Sequence, residues 1–292
     1  MDIDFDRDFD VPPGRVEHLS PLVRRVLCGN PSPFTFKGTS TYIVGQGRVA
    51  IIDPGPEDEA HFHALHRAVS GETVSHIVVS HSHADHSPLA ARLQAATGAA
   101  TYAYGGIAPA GPEGLRLDAS IDHDFVPDVE LPDGAVIEGA GWSLEAIFTP
   151  GHMSNHMCFA LREERVLFSG DHVMAWATSV VAPPDGHMGD YMASLRKLVG
   201  RDDALYLPGH GPGKSEPQSL LRGYISHRRM REAAILNRVR EGDRTVPDIV
   251  RAVYAGLDPK LHGAAGLSAK AHLDHLIEQG RVRQGDGVYE VV

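Results

Sequence analysis

Apolar and polar positions along the chain fall into two regimes. Up to about residue 213, short apolar runs suited to buried strands alternate with stretches of helical period. Residues 41–56, TYIVGQGRVAIIDPGP, predict two strands with a turn at Gly45-Gln46-Gly47, closing at Asp53-Pro54-Gly55. Residues 57–71 predict a helix ending at Gly71, 73–80 a strand, and 88–98 a helix ending at Gly98. Further strands are expected over 143–152, 156–161, 165–171 and 204–213, the first and last breaking into Pro-Gly. The alternation is that of an α/β protein, with no internal repeat.

The remaining residues change period. A long helix is expected over 219–242. Residues 245–256 follow with Thr245 as cap, Pro247 in the first turn, and Ile249, Val250 and Val253 on one face. Residues 268–280 place Ala269, Leu273, Leu276 and Ile277 on one stripe, and a hairpin is expected around Gly285-Asp286-Gly287. Three helices and a hairpin suggest a small winged-helix domain, dividing the chain into residues 1–222 and 223–292.

Composition narrows the class. Hydrophobic residues make up 42% and charged residues 22%, as in ordinary globular chains. No apolar stretch approaches the roughly 20 residues of a membrane helix, so no membrane partner is expected. MDIDFDRDFD carries five aspartates and no basic leader, and is expected to be a solvated tail or the lip of a first strand. Cys28 and Cys158 stand far apart, which suits a reducing cytoplasm. The net charge of −11 is uneven: residues 214–292 hold 13 Lys+Arg against 10 Asp+Glu, the rest 14 against 28. An acidic body is not the footprint of a strong duplex-DNA binder.

Four strand ends carry residues that ligate metals. VVSHSHADHSPL places His81, His83, Asp85 and His86 within six positions directly after an apolar strand. In extended backbone His81 and His83 point to one side. Four donors this close would crowd one ion and suit two better. His152 in TPGH, Asp171 in SGDH and His210 in LPGHG supply more, each beside small residues that let the backbone approach a tight site. Histidine and carboxylate donors suit a hard-to-borderline divalent metal.

On these residues the chain resembles the metallo-β-lactamase fold superfamily, whose H-x-H-x-D-H pattern stands at 81–86, followed in order by His152, Asp171 and His210. The resemblance implies an αββα sandwich with two metals at one edge, zinc first and iron or manganese as alternatives. It implies that His81, His83 and His152 bind one metal, that Asp85, His86 and His210 bind the other, and that Asp171 bridges them. Asp53 would orient a ligand. The C-terminal pattern resembles the lactamase-β-like subgroup, whose members include a single-stranded RNA endoribonuclease and thioesterases acting on acyl chains held by carrier proteins. Asp171 argues against antibiotic hydrolysis, since members with that activity lack the bridging aspartate.

The expected activity is therefore dinuclear hydrolysis by a metal-bridging hydroxide. Asp171 would set the metal spacing and Asp85 steer the proton. The substrate would be an ester or thioester, small or carrier-bound, or a phosphodiester such as single-stranded RNA. A nucleic-acid-binding regulator with an inactive body ranks last, because all seven ligand positions are filled. All seven precede residue 211, so the metal site is expected to stand without residues 223–292. His156 is expected to line the pocket and assist catalysis, or else to support His152. His172 is expected to support or line the site, His76 to be packed, and His61, His63 and His66 to be solvated on a polar helix face. Trp176 and Tyr191 flank a Pro/Gly-rich stretch, 180–192, that would form either a substrate wall or a packed connection.

Overall fold

Residues 3–107, 121–257 and 261–292 are described by a computed structural model. A seven-stranded sheet runs β1 (Val16–His18), β2 (Val23–Leu27), β3 (Ser40–Val44), β4 (Arg48–Ile52), β5 (Thr73–Val78), β6 (Ala100–Ala103) and β7 (Val129–Glu130), in that spatial order. Its first four strands are antiparallel and the rest parallel. The second sheet is ordered β13 (Lys214–Ser215), β12 (Leu205–Pro208), β11 (Val166–Gly170), β10 (Met157–Leu161), β9 (Ser143–Phe148) and β8 (Val136–Glu138). Helices α1 (Glu59–Ala68) and α2 (Leu89–Thr97) cover the first sheet. Helices α3 (Met188–Leu198) and α4 (Gln218–Arg240) cover the second.

Side-chain alternation explains this layering. In β3, Tyr42 and Val44 enter the core between the sheets, while Ile43 faces α1 and α2. In β4, Ala50 and Ile52 face the sandwich and Val49 and Ile51 the helices. In β10, Met157, Phe159 and Leu161 face the sandwich and Cys158 and Ala160 the α3–α4 layer. Strands buried on both faces read as continuous apolar runs, which is why they are visible in the sequence. The architecture is the αββα sandwich that the resemblance implies.

Several elements depart from the sequence reading. α3 begins inside the Pro/Gly-rich stretch, capped by the His187 side chain, which accepts from the Asp190 N–H. The aspartate-rich start is neither free tail nor strand lip. Asp4, Asp6, Asp8 and Asp10 are exposed, but Ile3 and Phe5 pack on the α3–α4 cluster and Phe9 is buried with the Arg25 guanidinium over its ring. Among the described residues no helix is long and apolar enough to cross a membrane.

The C-terminal helices are α4, α5 (Val246–Val253) and α6 (His262–Glu278), followed by the hairpin β14 (Val282–Gly285) and β15 (Val288–Val291). Thr245 caps α5, accepting from the Asp248 N–H, with Pro247 in the first turn. Asp286 and Gly287 turn the hairpin at φ of 50° and 77°, the left-handed pair of a type I′ turn. The division expected at 222/223 falls inside α4, which is one continuous helix. Its Leu220, Leu221 and Tyr224 pack into the sandwich body, and its Ile235, Leu236 and Val239 into the C-terminal core. α6 also reaches back: Ala271 enters the body's core, and Glu278 accepts from His187 Nε2 at 2.7 Å.

Candidate metal centre

β9, β11 and β12 run in one direction, because β9 and β11 are both antiparallel to β10 and β11 is parallel to β12. Their carboxyl ends therefore open at one edge, presenting His152, Asp171 and His210. The loop after β5 brings His81, His83, Asp85 and His86 to the same edge. The structure thus gathers all seven candidates, in two groups: His81, His83, His152 and Asp171, and Asp85, His86 and His210.

Donor spacings test whether an ion fits. Four donors held about 2.0–2.2 Å from one tetrahedral ion lie about 3.3–3.6 Å apart. In the first group His81 Nε2 is 2.9 Å and His152 Nε2 3.1 Å from His83 Nδ1, and His152 Nε2 is 3.7 Å from Asp171 Oδ2. In the second, His210 Nε2 lies 3.1 Å from Asp85 Oδ2 and 3.3 Å from His86 Nε2. Asp171 also faces this group, with Oδ2 3.4 Å from His210 Nε2 and Oδ1 3.6 Å from His86 Nε2. Its Oδ1 is buried with no hydrogen-bond partner among the described residues, an orphan that a cation would satisfy. The donor set fits two divalent ions.

Bonds behind the rings aim these donors. Asp53 Oδ1 accepts the Ser80 N–H and Oδ2 the Ser80 hydroxyl, each at 2.7 Å. Having donated to Asp53, Ser80 Oγ accepts from His81 Nδ1 at 2.9 Å. His86 Nδ1 donates to Asp53 Oδ2 at 3.0 Å. His152 Nδ1 donates to the Val180 carbonyl at 2.5 Å, and His210 Nδ1 to the Gly38 carbonyl at 3.2 Å. In all four rings Nδ1 is engaged behind the ring, which turns Nε2 towards the site. Asp53 adopts this post at φ 49°, a left-handed conformation rare outside glycine. Ser80, Gly38 and Val180 were not anticipated from the sequence. Ser80 alone carried a signal, as a hydroxyl directly before the first histidine.

Two glycines make room. A Cβ at Gly209 would lie 2.6 Å from both Asp171 Oδ1 and His86 Cε1, and one at Gly170 would lie 2.6 Å from His156 Nε2. A side chain larger than hydrogen would displace two donors at Gly209, and the His156 ring behind Asp171 at Gly170.

Charge differs between the two groups. Burial, and then the neighbouring imidazoles, push His81 well below its ordinary value and His83 down to about 3, so these two rings present neutral nitrogens. Burial also disfavours the imidazolium of His86, but the carboxylates of Asp85, Asp171 and Asp53 outweigh it and raise that ring to about 9. His210 is likewise held well above its ordinary value against burial, by Asp171 and Asp85. The second group is a field that favours positive charge.

The other histidines sort differently. His156 is fully buried; Nδ1 donates to Thr149 Oγ1 at 2.9 Å and Nε2 accepts the Asp171 N–H at 3.2 Å. Both nitrogens are engaged within the protein, one on Thr149 and one on the Asp171 backbone. His172 is buried between His156 and Tyr191. His76 packs on Tyr102 and Trp142. His63 and His66 are exposed, but His61 is not solvated: it is 2% exposed, with Nε2 donating to Thr41 Oγ1 at 2.8 Å. It shares the inward stripe of α1 with Ala64 and Leu65, a spacing the polar reading of that helix overlooked. Tyr191 is a packed connection, its hydroxyl donating to the His172 carbonyl at 2.8 Å. Trp176 stacks on Phe36 at 4.8 Å, against the Gly211 that follows His210.

Comparison with known proteins agrees with this geometry. Residues 34–210 match the profile of the metallo-beta-lactamase superfamily, and residues 245–289 that of the beta-lactamase associated winged helix domain. A beta-lactamase-like protein 2 homolog of Caenorhabditis elegans is 32% identical over 280 residues, covering 91% of this chain and 88% of the relative. An atrochrysone carboxyl ACP thioesterase of Claviceps purpurea is 30% identical over 254 residues, covering 82% and 74%. The crystal structure of a metallo-beta-lactamase family protein from Thermus thermophilus superposes with a TM-score of 0.76 at 22% identity, covering 94% of this chain and 100% of that one. Profile, relatives and fold converge with the seven-residue edge: this chain belongs to the metallo-beta-lactamase superfamily and is a hydrolase of that fold, joined to a beta-lactamase associated winged helix domain.

Proposed function

We propose that the chain hydrolyses acyl thioesters held on a carrier protein, using two divalent metals, zinc before iron or manganese. The observation that carries the chemistry is the position of Asp171, whose Oδ2 lies 3.7 Å from His152 Nε2 on one side and 3.4 Å from His210 Nε2 on the other. His81, His83 and His152 would hold one ion, Asp85, His86 and His210 the other, with Asp171 shared. When bound, such a pair supplies a water acidified to a pKa near 7 and a Lewis acid for the substrate carbonyl.

The chain's own residues do the rest. Asp171, fixed by His156 through its backbone N–H, sets the spacing of the two groups. Asp85, the more exposed of the two ligand carboxylates, can accept a proton at the open side of the site. Asp53 holds His86 directly and His81 through Ser80, so both groups keep one orientation. The thiols of Cys28 and Cys158 are buried and pushed up to about 12, chiefly by burial, which leaves neither as a nucleophile. These buried, unpaired thiols also suit the cytoplasm as the expected location.

The substrate class follows from relatives named as acyl carrier thioesterases and from the acidic body, which disfavours a long polyanion such as RNA. The test is turnover of an acyl group on a carrier protein, compared with the same acyl group on a short thiol, a lactam and single-stranded RNA. Carrier-bound thioester should be hydrolysed with the highest kcat/KM. Preference for RNA or the lactam would overturn the proposal.

A further inference from the structure

The loop between Asp171 and α3 is fastened from behind by α4. Tyr224 Oη accepts the Met174 N–H at 3.1 Å and lies 2.7 Å from the Met174 and 2.5 Å from the Ala177 carbonyl oxygen, to either of which it can donate. One turn on, Arg228 Nη2 donates to the Ser179 carbonyl, and its guanidinium lies over the Tyr191 ring at 5.2 Å. The Ser179 and Tyr191 hydroxyls both donate to the His172 carbonyl at 2.8 Å. The next carbonyl after Ser179, that of Val180, accepts from His152 Nδ1 at 2.5 Å. Tyr224 is fully buried and Arg228 is 4% exposed.

A guanidinium is expensive to bury, and Nε of Arg228 has no partner among the described residues. What the buried charge does hold is the peptide next to the one that orients His152. If residues 179–180 shift, the Nδ1–H bond of His152 follows, and the Nε2 lone pair swings away from His81 and His83. The second donor group has no bond to this loop: His86 is held by Asp53 and His210 by Gly38.

We propose that Tyr224 and Arg228, on the helix that enters the winged-helix domain, are positioning residues for the metal ligand His152, acting through the loop 172–180. The metal site then does not stand without residues 223–292, contrary to the expectation from ligand positions alone. This inference rests on the two-metal reading above.

The test is zinc affinity of the full chain, measured by titration against a competing chelator. His152→Ala and His210→Ala assign the two binding steps. In Arg228→Met the step lost in His152→Ala should weaken about ten- to a hundredfold, the usual effect of removing a group behind a ligand. The other step should stay within about threefold, and Arg228→Lys, which keeps a donor, should recover part of the loss. A folded Arg228→Met with both steps within about threefold of wild type, or with both weakened alike, overturns the inference. If that variant is insoluble, Tyr224→Phe, which keeps the ring and loses the hydroxyl, is read by the same criterion. If His152→Ala itself changes neither step, the two-metal reading has failed rather than the role of α4.

Discussion

The Asp53 carboxylate accepts from His86 Nδ1 at 3.0 Å while the same group holds Ser80, and through it His81, so one side chain orients a ring in each donor group. Asparagine at this position has one acceptor where aspartate has two, and its amide must oppose either the Ser80 N–H or the bonds to Ser80 Oγ and His86. Asp53→Asn should therefore weaken both zinc-binding steps, each by about ten- to a hundredfold. Chelator competition checks this. Loss confined to one step would mean that Asp53 serves only one group.

Gly209 carries a steric prediction. Its Cβ would meet Asp171 Oδ1 and His86 Cε1 at 2.6 Å, and its φ is not in the left-handed region, so alanine there is excluded by the donors alone. Gly209→Ala should fold with little change in melting temperature and lose at least about a hundredfold in thioester turnover, as expected when reacting groups are displaced by an ångström. A variant with near wild-type turnover would show that the donors can yield.

Much of the site was legible because its residues are dense and chemically distinctive. His81 to His86 form a compact motif, and His152, Asp171 and His210 each stand beside glycine at a strand end. The groups behind them were not. The carbonyls of Gly38 and Val180 are backbone atoms that every residue carries, and only the fold brings them to His210 and His152. α3 was hidden because Pro183, Pro184 and Gly186 precede Met188, Tyr191, Met192, Leu195 and Leu198, so a helix with a full apolar face is not assigned from the sequence. β7 and β13, two residues each, exist as strands only through their neighbours' hydrogen bonds. The 222/223 boundary followed a change of period, but Tyr224 and Arg228 lie beyond it and bond into the body.

His61 supplies a pH prediction away from the metal ligands. Burial presses its pKa down to about 4 from an ordinary 6.5. The folded state refuses a proton that the unfolded state takes up, so this contribution is intact above pH 6.5 and is lost as pH falls from 6.5 towards 4. The full shift corresponds to about 3 kcal/mol. Urea unfolding of chelator-treated protein at about pH 7.5 and 4.5 should show wild type losing about 2–3 kcal/mol more than His61→Gln. Equal losses would mean that the imidazole is protonated in place.

The two donor groups meeting at Asp171 are tested most directly by counting metal. Elemental analysis of the full chain, purified without chelator and resupplied with zinc, should give two equivalents per chain for wild type, and fewer for Asp171→Ala at unchanged fold. One equivalent or none in the resupplied wild type would contradict the two-metal site.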